Sequence, residues 1–136
     1  MGISYKIPLV YVAGPYTSKG GSTWEVDMNI HKARMKGAEI VCLGGYPVIP
    51  QANTAHFDGI VPEVVDEAAF FYDATMQLML RCDALTTCGE WEMSKGAVKE
   101  VRMAEQERMP ILFSIRQLKE WIDRWIDEHQ VVEVRT

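Results

Sequence analysis

The chain has 136 residues, enough for one domain with a core of its own and no need of disulfide staples. A hydrophobic content of 48% and a charged content of 24% suit a soluble globule, and 14 basic against 19 acidic residues leave a net charge of −5. That balance speaks against binding duplex nucleic acid, which normally takes a basic face. Three cysteines, at 42, 82 and 88, form neither CxxC pairs nor an even framework, so a reducing, cytoplasmic setting is expected and a metal site is not. No apolar run has membrane-spanning length and no signal-type segment opens the chain, so no membrane partner is expected.

Residues 8–13 (PLVYVA) are an uninterrupted apolar run, the mark of a central strand in a parallel sheet. The loop from Gly14 to Ser22 follows. Its glycines let backbone amides approach a ligand, and Lys19 offers a cation for a phosphate, although the same composition suits a plain crossover loop. No G-K-[ST] opens a helix here, so this is not a P-loop. A helix is expected over 27–43, with Ile30, Ala33, Gly37 and Val41 on one face and Gly44-Gly45 ending it. Residues 46–49 read as the second strand, with Pro47 near its start. The stretch 50–63 carries Gln51, Asn53, His56 and Asp58 and reads as a polar loop at a strand's carboxyl end, suited to be a binding wall. His56 by itself proves nothing, since a loop histidine is more often a solvent or packing residue.

A helix over 66–81 follows, whose stripe of Tyr72, Met76, Met79 and Leu80 is most simply core. Residues 82–87 read as a buried strand and 88–93 as a loop. The next helix opens at Ser94, whose hydroxyl can cap the first turn. With Ala97 at the centre of its apolar face, Val98, Val101 and Ala104 fall around it, while Lys99, Arg102 and Gln106 point to water. Glu100 does neither, sitting roughly 60° off the apolar centre. On geometry alone that is a flank carboxylate reaching for solvent. Residues 110–113 form the fourth strand, Ser114-x-x-Gln117 is a capping box, and the last helix runs to about His129. Its stripe of Ile115, Leu118, Ile122, Trp125 and Ile126, flanked by Trp121, is wide enough to cover a sheet edge or to meet a second subunit. Residues 131–134 could add an edge strand.

Strands alternating with helices predict a single α/β domain over 1–136: a Rossmann-like or flavodoxin-like open, mostly parallel sheet of four or five strands with helices on both faces. Loops 14–26, 50–64 and 87–94 would then share one rim, where ligands bind in such sheets. Tyr16, His56, Ser94 and Glu100 become neighbours through that fold.

The spacing Ser94-x-Gly96-x-x-x-Glu100, after a strand beginning at Asp83 and before Ala104 and Pro110, resembles the nucleoside 2-deoxyribosyltransferase superfamily. The similarity is closer to its branch of nucleoside 5′-monophosphate N-glycosidases. A second match is Val10-Tyr11-Val12-Ala13-Gly14-Pro15, which looks like that family's first strand and nucleotide loop, so the resemblance spans roughly residues 8 to 113. Short bacterial and phage proteins carrying CDA…W…S-x-G-A…E resemble the chain more closely still.

The resemblance implies Glu100 as the nucleophile in cleavage or transfer at a nucleoside N-glycosidic bond. It implies Tyr11, Gly14, Pro15, Tyr16, Lys19, His56, Asp83, Ser94 and Gly96 as substrate-binding residues, a small nucleoside or nucleotide as ligand, no cofactor, and a homodimer or larger homo-oligomer. Serine at position 94, where the transferases usually carry aspartate, tilts the expectation toward a 5′-phosphate, which a carboxylate would repel. One departure stands out. The family's second carboxylate would fall at Thr75, and Asp73 is turned about 200° away on a helix. Either Glu90 or Glu92 substitutes, or the proton donor is missing. The alternative to an enzyme is therefore a non-catalytic module that senses or sequesters nucleotides with the same pocket.

Overall fold

Leu9–Ala13 (β2) lies at the centre of the molecule because both of its faces are apolar. Val10 and Val12 turn to one side of the sheet, Tyr11 and Ala13 to the other, and all four are fully buried. The computed structural model describes residues 4–5, 7–16, 22–55 and 67–131. Within them, β2 pairs in parallel with Tyr46–Val48 (β3) on one side and Ala84–Thr87 (β4) on the other, and β4 pairs in parallel with Ile111–Leu112 (β5). The order β3-β2-β4-β5 is that of an open, doubly wound α/β sheet, as expected. Ser4–Tyr5 (β1) and Gln130–Val131 (β6) pair antiparallel as a separate two-stranded ribbon, so residue 131 joins no edge of the main sheet.

The helices divide between the faces. Thr23–Cys42 (α1) and Ile115–His129 (α5) cover Val10 and Val12 through Ala33, Ile40, Leu118 and Ile122. Glu67–Leu80 (α3) and Lys95–Gln106 (α4) cover Tyr11 and Ala13 through Met76, Met79, Val101 and Ala104. The methionine stripe of α3 is core, as its spacing implies. The stripe of α5 is largely spent inside the chain: Leu118 and Ile122 are fully buried, Trp121 and Ile126 pack on the same cluster, and the helix covers a sheet face. Ser114 and Gln117 cap α5 reciprocally, with the Gln117 N–H donating to Ser114 Oγ at 3.1 Å and the Ser114 N–H to Gln117 Oε1 at 3.2 Å.

Two elements differ from the sequence reading. Helix α1 starts at Thr23 because Ser22 caps it, its Oγ accepting the Glu25 N–H at 3.3 Å. The polar stretch after β3 is not all loop. Pro50–Asn53 (α2) forms one helical turn with proline at its first position, where no N–H is missed. Lys19, His56 and Asp58 fall outside the described residues.

Asp83 closes the amino-terminal edge of the sheet. Its Oδ2 accepts the Leu9 N–H at 2.8 Å and its own N–H donates to the Leu9 carbonyl at 2.8 Å, tying the starts of β2 and β4 together. Ser94 lies beyond the carboxyl end of the strand that follows, so Asp83 sits at the opposite edge of the sheet from Ser94 and not beside it as the resemblance implied. We expect Asp83→Ala to cost roughly 1.5–3 kcal/mol, the range for a hydrogen bond to a charged group, in chemical denaturation, with no change in ligand affinity. An affinity loss at constant stability would return Asp83 to the ligand.

Candidate functional site

Three loops leave the carboxyl ends of β2, β3 and β4 and meet at one point. The junction is tight: a β-carbon at Gly14 would collide with Cys88 Sγ and lie 3.0 Å from the Cys88 carbonyl oxygen. Only glycine lets the two chains pass this closely. Gln51, buried at the start of α2, donates from Nε2 to the Gly14 carbonyl at 3.0 Å and pins the third loop to the same spot. Cys88 serves as a packing post, and burial pushes its thiol up to about 11 against the opposing pull of Lys36 and Lys32, so it is no nucleophile at neutral pH. This junction lies where the connections from β2 and β4 run to opposite faces, the crevice in which open α/β sheets hold ligands.

On the α3–α4 side of the junction sits Glu100. Ser94 caps α4, its Oγ accepting the Ala97 N–H at 3.2 Å, and the backbone of Glu100 lies about 9 Å further along the helix at 1.5 Å per residue. The side chain does not reach out to solvent as its flank position suggests. It turns inward against the hydroxyl of Tyr11, and both Glu100 Oε2 and Tyr11 Oη are buried without a hydrogen bond of ordinary geometry. Burial pushes the Glu100 carboxyl up to about 7, with the Tyr11 hydroxyl pulling the other way. Burial, and then the Glu100 charge, hold the Tyr11 phenol well above its usual range, while Thr75 beside it acts to lower it. Thr75 Oγ1 itself donates to the Tyr72 carbonyl at 3.1 Å. Position 75 therefore does face the pair, and Asp73 is exposed. Two buried oxygens with unmet hydrogen-bonding capacity are costly in a folded core and point to a role beyond packing.

On the other side of the junction a cleft of about 290 Å³ opens between the first turns of α1 and the short 3₁₀ turn Trp91–Met93. Pro15, Trp24, Asn29, Lys32, Met93 and Ser94 are among its walls. Asn29 Nδ2 donates to the Tyr16 carbonyl at 3.2 Å, holding the Gly14 loop against α1. Trp91 stacks on Phe113 at 5.6 Å and anchors the 3₁₀ turn to the end of β5. Among the described residues a β-carbon at Gly96 would meet nothing nearer than Ser94 Oγ at 4.0 Å, so no packing against them requires glycine there.

The structure thus gathers Tyr11 and Glu100 into one pair and sets Gly14, Pro15, Tyr16 and Ser94 on the adjoining rim. The reading from sequence missed Gln51 as a tie between loops and the cleft residues of α1. The latter had a signal, because Ser22-x-x-Glu25 has the form of a capping box and would have moved the helix start to Thr23. Gln51 had none, since a buried glutamine in a polar stretch looks like any loop residue. Among the described residues no group of three or more His, Cys, Asp or Glu side chains is placed to hold a metal ion, and no helix is long and apolar enough to cross a membrane.

Residues 8–114 match the family described as a domain of unknown function, DUF7768, and the chain belongs to that family. No curated protein is similar to it.

The buried carboxyl makes a stability prediction whose sign follows from its raised pKa. Between the ordinary carboxylate value and about 7 the unfolded chain gives up a proton that the folded chain keeps, so this group's contribution is fully present below the unfolded pKa and is lost as pH rises through the folded one. We expect Glu100→Gln to change stability little at pH 4–5 and to raise it by roughly 1–3 kcal/mol at pH 8, measured by chemical denaturation. A gain of equal size at both pH values would show that ionisation of Glu100 is not the cause.

Proposed function

For this member of DUF7768 we propose cleavage of, or transfer at, the N-glycosidic bond of a nucleoside 5′-monophosphate, with Glu100 as the nucleophile. The observation that carries this reading is the Tyr11–Glu100 pair, a carboxyl buried beside an unsatisfied hydroxyl on the helix that Ser94 caps, with about 9 Å of helix rise between positions 94 and 100. The spacing suits a nucleotide laid along the start of α4. The 5′-phosphate would sit at the Ser94 hydroxyl and the first amides of the helix, and the anomeric carbon at Glu100.

The chemistry follows from that placement. The ionised Glu100 oxygen bonds to C1′ as the C1′–N bond breaks through an oxocarbenium-like transition state, and the bonding pair leaves with the base. The Tyr11 hydroxyl donates to the carboxylate, orienting it and supporting its charge. The base leaves with a proton. Water then attacks C1′, or a second base does, and the ester to Glu100 is released. Thr75 can relay a proton but not supply one, because an aliphatic hydroxyl does not ionise near neutrality. Proton delivery to the base then falls to solvent, to Glu92 or to the substrate itself, since Glu90 lines the cleft beyond Ser94, and turnover is slow.

Base release assayed on nucleoside 5′-monophosphates tests this. Glu100→Ala should abolish release, and wild-type activity should rise with pH through about 7 as the carboxyl ionises. A rate that falls over the same range would make Glu100 the acid instead. Thr75→Asp should raise the rate by up to about 10²–10⁴-fold, the span of general acid assistance. If the wild type binds nucleotides without turnover and Thr75→Asp creates none, the chain is a binding module built on the same pocket.

We also infer that the chain self-associates through α3. This helix is apolar on nearly every side, the pattern of a helix buried all round, yet it leaves Phe70, Tyr72, Leu78 and Leu80 exposed. A second copy seated there would also stand next to Thr75. Light scattering at micromolar concentration should give at least a dimer mass, reduced to a monomer by Leu78→Lys; a monomeric wild type contradicts this.

A further inference from the structure

A mononucleotide laid from Glu100 to Ser94 does not use the cleft on the far side of Ser94. That cleft is lined by Ser94 but not by Glu100, and its walls run away from the carboxyl toward α1. Two of its largest side chains are left to water, Trp24 being 69% and Met93 84% exposed. Single exposed apolar residues are ordinary, but an indole and a thioether bordering one cleft make a slot for a flat aromatic group. Lys32 stands about 12 Å further along α1 from Trp24. Its stem borders the turn at Gly89, where the backbone takes φ +59° beside Pro15. A cation therefore lines the same cleft as Ser94 and Trp24. Glu25 and Glu90 complete the lining. The Glu90 carboxylate disfavours phosphate beside it and suits an aromatic ring whose exocyclic amino group donates hydrogen bonds.

We propose that the ligand is a nucleotide extended at its 5′ end: two nucleosides joined through a 5′,5′-diphosphate, one at Glu100 and the other against Trp24 and Met93. The diphosphate bridges them past Ser94 and Lys32. This rests on the reading above in which Ser94 holds the 5′-phosphate.

Calorimetric titration of the full chain tests it, with the 5′-monophosphates of adenosine, guanosine, cytidine and thymidine and the symmetrical 5′,5′-diphosphate dinucleoside of each as probes. At least one dinucleotide should bind roughly tenfold or more tighter than its own mononucleotide, as stacking of one base on an aromatic side chain implies. Trp24→Ala should bring the two affinities within about threefold of each other. Met93→Glu should do the same, and since both side chains are largely exposed neither change threatens the fold. A mononucleotide that binds as tightly as its dinucleotide overturns the extension and leaves the nucleotide site standing. A dinucleotide preference that survives in both variants overturns the assignment of the cleft. Binding of none of the eight probes overturns the extension together with the reading it rests on.

Discussion

A tyrosine at the middle of the central strand ends against a carboxyl on the helix above it, and the rest of the site is arranged around that contact. Tyr11 is fully buried, so its hydroxyl cannot reach water, and Glu100 closes over it. A core built only for stability would put a leucine and an alanine there. Keeping a phenol and a carboxyl instead costs desolvation on both, and that burial is the first cause of the raised pKa of each. The pair persists because the elements that carry it are held elsewhere. Met76, Met79, Val101 and Ala104 fix α3 and α4 on the sheet, and Val10 and Val12 fix β2 from behind. The fold itself thus orients the two groups, which is what the proposed reaction at Glu100 needs.

The rim works by a different constraint, the closeness of three chain segments. Gly14 passes Cys88 with no room for a side chain, and Gln51 ties the third loop to the same carbonyl. This knot separates two regions that share Ser94 as a border. One holds the Tyr11–Glu100 pair under α3 and α4; the other is the open cleft beside α1. Ser94 serves both through a single local decision, the cap that starts α4. The sheet alone would position neither region, since each depends on where a helix begins.

Much of this arrangement was legible in the residues. The mostly parallel sheet with helices on both faces follows from alternating apolar runs and helical stripes, and α4 could be placed because Ser94 is a cap and Ala97, Val101 and Ala104 repeat at helical spacing. The inward turn of Glu100 was not legible. Its position on the wheel allows either direction, and the choice is made by Tyr11, which is far away in sequence and whose own direction depends on strand pairing. Asp83 shows the converse. A motif put it with the ligand, whereas its hydrogen bonds to Leu9 put it at the opposite edge, which no spacing along the chain reveals. Thr75 lay between these cases: the resemblance singled out position 75, and Thr75 lies beside Tyr11. The start of α1 was readable from Ser22 and Glu25, and with it the cleft residue Trp24.

The central claim is that the buried carboxyl bonds to a sugar. The direct measurement is intact-protein mass spectrometry with peptide mapping after incubation with 2′-fluoro nucleoside 5′-monophosphates, whose electron-withdrawing substituent slows breakdown of a glycosyl ester more than it prevents its formation. A glycosyl ester at this carboxyl predicts a sugar-phosphate adduct on Glu100, formed with release of the base and absent in Glu100→Gln. Base release that leaves Glu100 unmodified, an adduct on another residue, or tight binding with neither release nor adduct would contradict it.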